Sequence, residues 1–218
     1  MREIVLDTET TGLDQQNDKI IEIACIELKN CVQTGNIFQK YINPEKEISD
    51  DAVKIHGLTN DFLIKKPLFK EIIKDFLNFI KKDPLIIHNA EFDLGFINNE
   101  LKKNNEEPVK NKIIDTLTMA REKYPGSPAN LDALCRRFNI DLSSRNKHGA
   151  LIDAKLTSKV YLEFKGGQQP NFNLDIKKEM KTTGDNINQY KKKKWEERIY
   201  DLKDREIENH KKLLKKIK

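Results

Sequence analysis

The segment Ile4-Val5-Leu6-Asp7-Thr8-Glu9 starts as an apolar strand and finishes in two carboxylates, and that combination constrains the chain more than any other feature. A strand that points into a core cannot end in unpaired charge, because a buried ion either costs several kcal/mol or is neutralised. Something cationic has to compensate Asp7 and Glu9. Residues two apart on a continuous strand project to the same face, so both acids aim at the same compensating charge. Further candidates for that place are Asp93, then His148 and Asp153. Four acids and one histidine with no cysteine partner suit hard cations such as Mg2+ or Mn2+ rather than zinc.

Periodicity places these residues on elements. Arg2 to Asp7, Ile20 to Leu28 and Asn36 to Ile42 read as three strands of an antiparallel meander, the last ended by Asn43-Pro44. Leu68 to Ile80 puts Phe69, Ile72, Ile73, Phe76, Leu77 and Ile80 on one helical face. Leu85 to His88 is a short buried strand, Glu91 to Lys103 a helix, and Lys112 to Asp115 another strand. Helices are expected around Thr116 to Lys123, Leu131 to Phe138 and Ala150 to Phe164, where Gly166-Gly167 supplies a stop. Strands first and strand–helix alternation afterwards predict an α/β domain over residues 1–167, with a mixed central sheet flanked by helices.

Beyond it the character changes. Residues 168–184 lack periodicity and read as a linker, and 185–218 form a lysine-rich tail, helical or disordered, with apolar residues at near-helical spacing. Residues 175–218 carry 15 Lys/Arg against 9 Asp/Glu, leaving 25 against 26 in the rest, so the body is near neutral and the tail cationic. A phosphate held by the body must therefore rely on metal and a few local groups. The three cysteines form no C-x-x-C pair, and the longest apolar runs are far too short to cross a bilayer. With no signal-like leader at the start, the expected place is the cytoplasm.

Carboxylates from a strand and two helices can converge on paired cations about 3.5–4 Å apart, the spacing of two-metal phosphoryl chemistry. Asp93 falls in the first turn of its helix, where an acid also suits the positive dipole end. His148 and Asp153 are five positions apart, roughly 140° around a helix axis, so they cannot face one metal pair from a regular helix. The simplest solution puts His148 in the loop before the helix, with Gly149 permitting the turn. A loop imidazole there is a candidate general base.

Taken together, Asp7-Thr8-Glu9-Thr10-Thr11-Gly12, His88-Asn89-Ala90-Glu91-Phe92-Asp93 and His148-Gly149-Ala150-Leu151-Ile152-Asp153 resemble the three motifs of the DEDDh exonuclease family. Ile55-His56-Gly57-Leu58-Thr59 and Leu131-Asp132-Ala133-Leu134-Cys135 resemble its proofreading branch. The resemblance implies a ribonuclease H-like fold, two Mg2+ or Mn2+ ions, and 3′→5′ removal of nucleotides from single-stranded or frayed DNA ends. Asp7, Glu9, Asp93 and Asp153 would be metal ligands and His148 the base. Asp7, Glu9, Asp51, His56 and Asp153 would meet the substrate. Each has a plainer reading: Asp51 as a helix-start acid, His56 as a packed loop histidine, His88 as a loop-ordering residue.

The tail carries two weaker resemblances to the same branch. Gln169, Phe172 and Leu174 resemble a sliding-clamp-binding peptide. Ile207, His210 and Leu213 fall in a segment similar to one that docks on the catalytic subunit of DNA polymerase III. The rival expectations are an RNA-trimming or DNA-repair exonuclease of the same chemistry, and a non-catalytic replisome scaffold. Four crowded acids have no use in a scaffold.

Overall fold

The computed structural model describes residues 1–166 apart from 144 and 146, together with 205 and 208–210. The chain divides into two units, Met1–Phe172 and Asn173–Lys218. Of the second unit, 205 and 208–210 are helical and exposed, and they include His210. The predicted linker and the positions Gln169, Phe172, Leu174, Ile207 and Leu213 lie outside the described residues.

Three long strands open the first unit. β1 (Arg2–Thr10) pairs antiparallel with β2 (Ile20–Lys29), and β2 pairs antiparallel with β3 (Val32–Tyr41). After α1 (Asp50–His56), α2 (Asn60–Leu63) and α3 (Phe69–Ile80), the strand β4 (Leu85–Ile87) joins the other side of β1 in parallel. Then α4 (Ala90–Lys103) leads to β5 (Ile113–Asp115), parallel to β4, and α5 (Thr116–Lys123), α6 (Leu131–Arg137) and α7 (Ala150–Phe164) follow. The sheet order β3-β2-β1-β4-β5 is the mixed sheet expected from the sequence.

Because β1 and β4 are covered on both faces, their apolar runs are continuous, and alternate residues serve different layers. Ile4, Leu6, Leu85 and Ile87 pack with α3 and α4 through Phe76, Phe96 and Ile97. Val5 and Ile86 turn to the opposite face and meet Ala154 and Tyr161 of α7. Tyr161 lies deep there and donates its hydroxyl to the buried Glu3 at 2.7 Å. A third cluster joins α5, α6 and α7 through Ala120, Leu134, Leu156 and Val160. The two layers hold α4 and α7 on opposite faces of one strand.

Two boundaries differ from expectation. β1 runs on to Thr10 rather than ending at Asp7, with an irregularity between Glu9 and Thr10. β3 starts at Val32, not Asn36, since Asn30 and Cys31 (φ 52° and 64°) make a two-residue hairpin turn that pairs Val32 with Lys29. Val32 to Ile37 is exposed at the sheet edge, so no apolar pattern marks this stretch in the sequence. Among the described residues, no helix is long and apolar enough to cross a membrane.

Candidate active site

Where β1 runs past the end of its short partner β4, its last residues leave the core and border a cleft of about 810 Å3. This lies within the roughly 300–1,000 Å3 of ligand clefts and sits beyond the carboxyl ends of β1, β4 and β5, the usual place for a ligand on such a sheet. Asp7, Glu9, Asp93, His148 and Asp153 all line it, as the sequence predicted. Glu9, Asp93 and Asp153 are only 9, 3 and 4 % exposed.

Each acid reaches the cleft by a different route. Asp7 and Glu9 share a face of β1, the face that carries Val5 toward α7. Thr8 faces the other way, and its hydroxyl donates to Asp93 Oδ1 at 2.7 Å. Asp93 stands in the first turn of α4, which starts abruptly because Asn89 adopts the left-handed region (φ 68°). That turn is held by Asp115, whose carboxylate accepts from the amides of Asn89 (3.0 Å), Ala90 (3.2 Å) and, at the start of α5, Leu117 (2.8 Å). His88 Nδ1 lies 2.9 Å from the Thr116 hydroxyl, a loop-ordering contact.

Asp153 arrives on α7, whose start is fixed from across the sheet. Glu22 is paired opposite Glu9 in the β1–β2 ladder and is 2 % exposed. Its Oε2 accepts the Ala150 amide at 3.1 Å, while its Oε1 accepts from Gln39 at 2.7 Å. A carboxylate from β2 thus takes the place of a cap that Gly149 cannot provide. Gly149 itself is extended (φ −167°, ψ 130°), so the expected turn needs no glycine, and an added Cβ would meet only ordinary contacts. His148 does stand in the loop before α7, tied by its amide to the Ile55 carbonyl at 3.1 Å.

So many acids in so little space change their own chemistry. Burial, then the charges of Asp93, Asp153, Glu9 and Glu22, push Asp7 well above the usual carboxylate range. Burial, with Asp153, Glu22 and Asp93, pushes Glu9 up to about 8. Asp93 is pushed up to about 7, mainly by burial, although the Thr8 hydrogen bond opposes the rise. Burial acts the same way on Asp153, but hydrogen bonds from His148 and Arg145 outweigh it and hold that carboxyl below its ordinary value. Three protonation-prone acids beside an ionised one make a pocket that gains from a cation.

The donor set fits a divalent ion. One ligand atom each from Glu9, His148 and Asp153 lie within 4.8 Å of one another, and the carboxylate oxygens among them suit Mg2+ or Mn2+.

Arg145 was not anticipated. It lies in the aperiodic stretch between α6 and α7, yet its side chain is 8 % exposed. Nε donates to Asp153 Oδ1 at 2.7 Å and Nη2 to Oδ2 at 2.8 Å, Nη1 pairs with Asp132, and Nη2 stands 3.1 Å from His148 Nδ1. One signal pointed there: buried acids in a body with no positive excess call for a nearby cation, and Arg145 is three residues before His148. Glu22 and Asp115 also carried no recognisable pattern, while Thr8 and Asp132 fell inside recognised segments but were given no role.

Neither Asp51 nor His56, the residues expected to touch a terminal nucleotide, is among those lining the cleft. Asp51 stands on α1 with its side chain 90 % exposed, paired with Lys54, and does not line the cleft. His56 ends α1, buried; its Nδ1 accepts the Leu58 amide at 3.0 Å and its Nε2 has no partner among the described residues. Burial, with the charges of Lys147 and His148, lowers its pKa.

Comparison with known proteins agrees with this geometry. A family model described as "Exonuclease" (RNase_T) matches residues 4–161. The chain is 47% identical to DNA polymerase III subunit epsilon of Rickettsia felis, over 100% of this chain and 97% of that one. Among solved structures it is similar to Exonuclease X in complex with 5′ overhanging duplex DNA, with a TM-score of 0.62 and 24% identity over 75% of this chain and 91% of that one. It is also similar to the nuclease domain of 3′hExo, a DEDDh family member bound to rAMP, with a TM-score of 0.66 and 19% identity over 76% and 92%. At those identities the two structures speak for the fold.

Proposed function

The chain belongs to the RNase_T exonuclease family, and from that premise we propose that it is the proofreading (epsilon) subunit of DNA polymerase III, a divalent-metal-dependent 3′→5′ exonuclease acting on single-stranded or frayed DNA ends. The observation that carries this reading is the meeting of Asp7, Glu9, Asp93, His148 and Asp153 in one cleft.

Asp7, Glu9, Asp93 and Asp153 would hold two ions, Mg2+ or Mn2+, which when bound activate water and offset charge on the phosphodiester and the leaving 3′ oxygen. The protein's own groups do the rest. His148 takes the proton of the attacking water. Its Nδ1 faces Asp153 Oδ2 at 3.2 Å, which leaves Nε2 to receive that proton, and the carboxylate stabilises the imidazolium that forms. Thr8 keeps Asp93 oriented, and Glu22 keeps the α7 terminus, and so Asp153, in place. His56, buried and with an Nε2 that has no partner among the described residues, meets the terminal nucleotide only if the strand reaches beyond the cleft lining, and Asp51 only if it crosses the outer face of α1. Nothing in this arrangement reads base edges, so cleavage is nearly sequence-blind. Selectivity for mispaired ends comes from fraying, because an unpaired terminus costs less to separate.

In this reading the basic tail, 185–218, docks on the polymerase catalytic subunit, and Gln169 to Leu174 meets the sliding clamp. The setting is the cytoplasm. The test uses single-stranded DNA labelled at either end, with Mn2+ or EDTA, beside an RNA of the same sequence. Mononucleotides should leave from the 3′ end of the DNA, and EDTA or Asp7→Ala should stop them. Cleavage that survives either change, or proceeds from the 5′ end, refutes the reading.

A further inference from the structure

We propose that Arg145 is the resident counter-ion of this cleft, a guanidinium that grips Asp153 and His148 while the divalent ions are away and must release Asp153 for them to bind. The proposal rests on the metal-holding role given above to the carboxylates.

The geometry argues for competition rather than simple support. A guanidinium has five N–H donors, no acceptor, and a charge it does not lose in proteins. Arg145 spends two donors on Asp153, one on each oxygen, at 2.7 and 2.8 Å. An ion held between Glu9 and Asp153, which each offer an oxygen within 4.8 Å of the other, would need one of those same oxygens. Two cations on one largely buried carboxylate repel strongly, since little water screens them.

The grip reaches His148 as well. Nη2 can only donate, so its 3.1 Å contact makes Nδ1 the acceptor, whereas the Asp153 contact at 3.2 Å needs Nδ1 to carry a hydrogen. The neutral ring cannot satisfy both. Release of Arg145 lets Nδ1 donate to Asp153, the arrangement used in catalysis. Asp132 gives the guanidinium somewhere to remain. It pairs with Nη1, has a side chain 41 % exposed, and lines the cleft without belonging to the Glu9, His148 and Asp153 group, so Arg145 can stay on Asp132 while Asp153 turns to the ion. In this account ion entry and readiness of His148 are one event.

The test measures Mn2+ binding to the full chain by calorimetry and by electron paramagnetic resonance, for wild type, Arg145→Gln and Arg145→Lys. Arg145→Gln should bind Mn2+ roughly tenfold more tightly, within the usual range of coupling between two sites. Arg145→Lys should fall between, because an ammonium keeps the charge but cannot form the fork. A second measurement covers a variant that fails to fold. The Arg145 Nε–H resonance of the wild type, identified by its absence in whichever variant folds, should be protected from exchange in EDTA and lose protection as Mg2+ saturates. Equal or weaker Mn2+ binding by Arg145→Gln overturns the proposal alone, as does an Nε–H still protected at saturating Mg2+. Arg145→Lys matching wild type while Arg145→Gln tightens reduces the effect to charge at a distance and also overturns it. If the wild type itself binds no Mn2+, the metal reading falls and takes this inference with it.

Discussion

Glu9 offers a direct measure of what the empty acid cluster costs the fold. Glu9→Gln keeps the shape of the side chain and mimics its protonated form. In the folded protein Glu9 is held at about 8 by burial and by Asp153, Glu22 and Asp93, against 4.5 for an ordinary glutamate. A carboxyl raised in this way favours folding most where it is protonated in both states, and it loses that contribution as pH climbs from about 4.5 to about 8. Each pH unit in the middle of that window is worth about 1.4 kcal/mol, and because the slope falls off near 4.5 and near 8 the span from pH 5 to pH 8 amounts to about 3 kcal/mol. Gln does not titrate. In EDTA, the variant should therefore gain about 3 kcal/mol on the wild type over that range, about 6–12 °C in melting temperature for a domain of this size. Asp93, pushed up to about 7 in the wild type, titrates in both proteins and largely cancels. The assay is thermal unfolding by circular dichroism at pH 5 and pH 8 in EDTA, repeated with Mn2+. Mn2+ should reverse the order, because only the wild type keeps the full set of acids. A Glu9→Gln protein no more stable at pH 8 than the wild type, or a gap that does not widen with pH, would refute the mutual repulsion on which the site's need for cations rests.

Other perturbations separate roles within the same region. Thr8→Val removes the hydrogen bond that opposes the rise of Asp93, so Mn2+ binding at pH 7 should weaken and recover at higher pH; calorimetry at the two pH values checks it, and a loss independent of pH would contradict it. His148→Ala should lower single-turnover cleavage by roughly 10²–10⁴-fold. An unchanged rate removes His148 as the base. Tyr161→Phe leaves Glu3 buried without its donor and should cost about 1–3 kcal/mol of stability in urea unfolding while cleavage stays intact.

The sequence disclosed what depends on burial and on motif chemistry. α3 carries apolar positions at helical period because one face packs on the sheet, β1 reads as a continuous apolar run because both its faces are covered, and Asp7 and Glu9 stand out as charges at the end of that run. The first half of β3 was illegible for the opposite reason. Its pairing with β2 is backbone hydrogen bonding at an exposed edge, which leaves no trace in side-chain hydropathy. Arg145 escaped because its aperiodic stretch carries no motif, although its partners are only 3 to 13 positions away, whereas Glu22 and Asp115 act through partners distant in the chain. Glu22 caps a helix that starts at Ala150, and Asp115 holds a turn begun at Asn89. Such pairs become visible only once the strands are laid side by side. Gly149 shows the converse, a glycine whose apparent purpose, a tight turn, is not one the backbone requires there.

Asp115 carries a consequence of its own. With one carboxylate fastening the beginnings of α4 and α5, the aim of Asp93 depends on a residue that does not itself line the cleft. A cell inheriting a weakened Asp115 would still carry every catalytic residue of the cleft. Its fault would surface as a mutator phenotype, errors accumulating over generations from a lesion that inspection of the catalytic residues would miss.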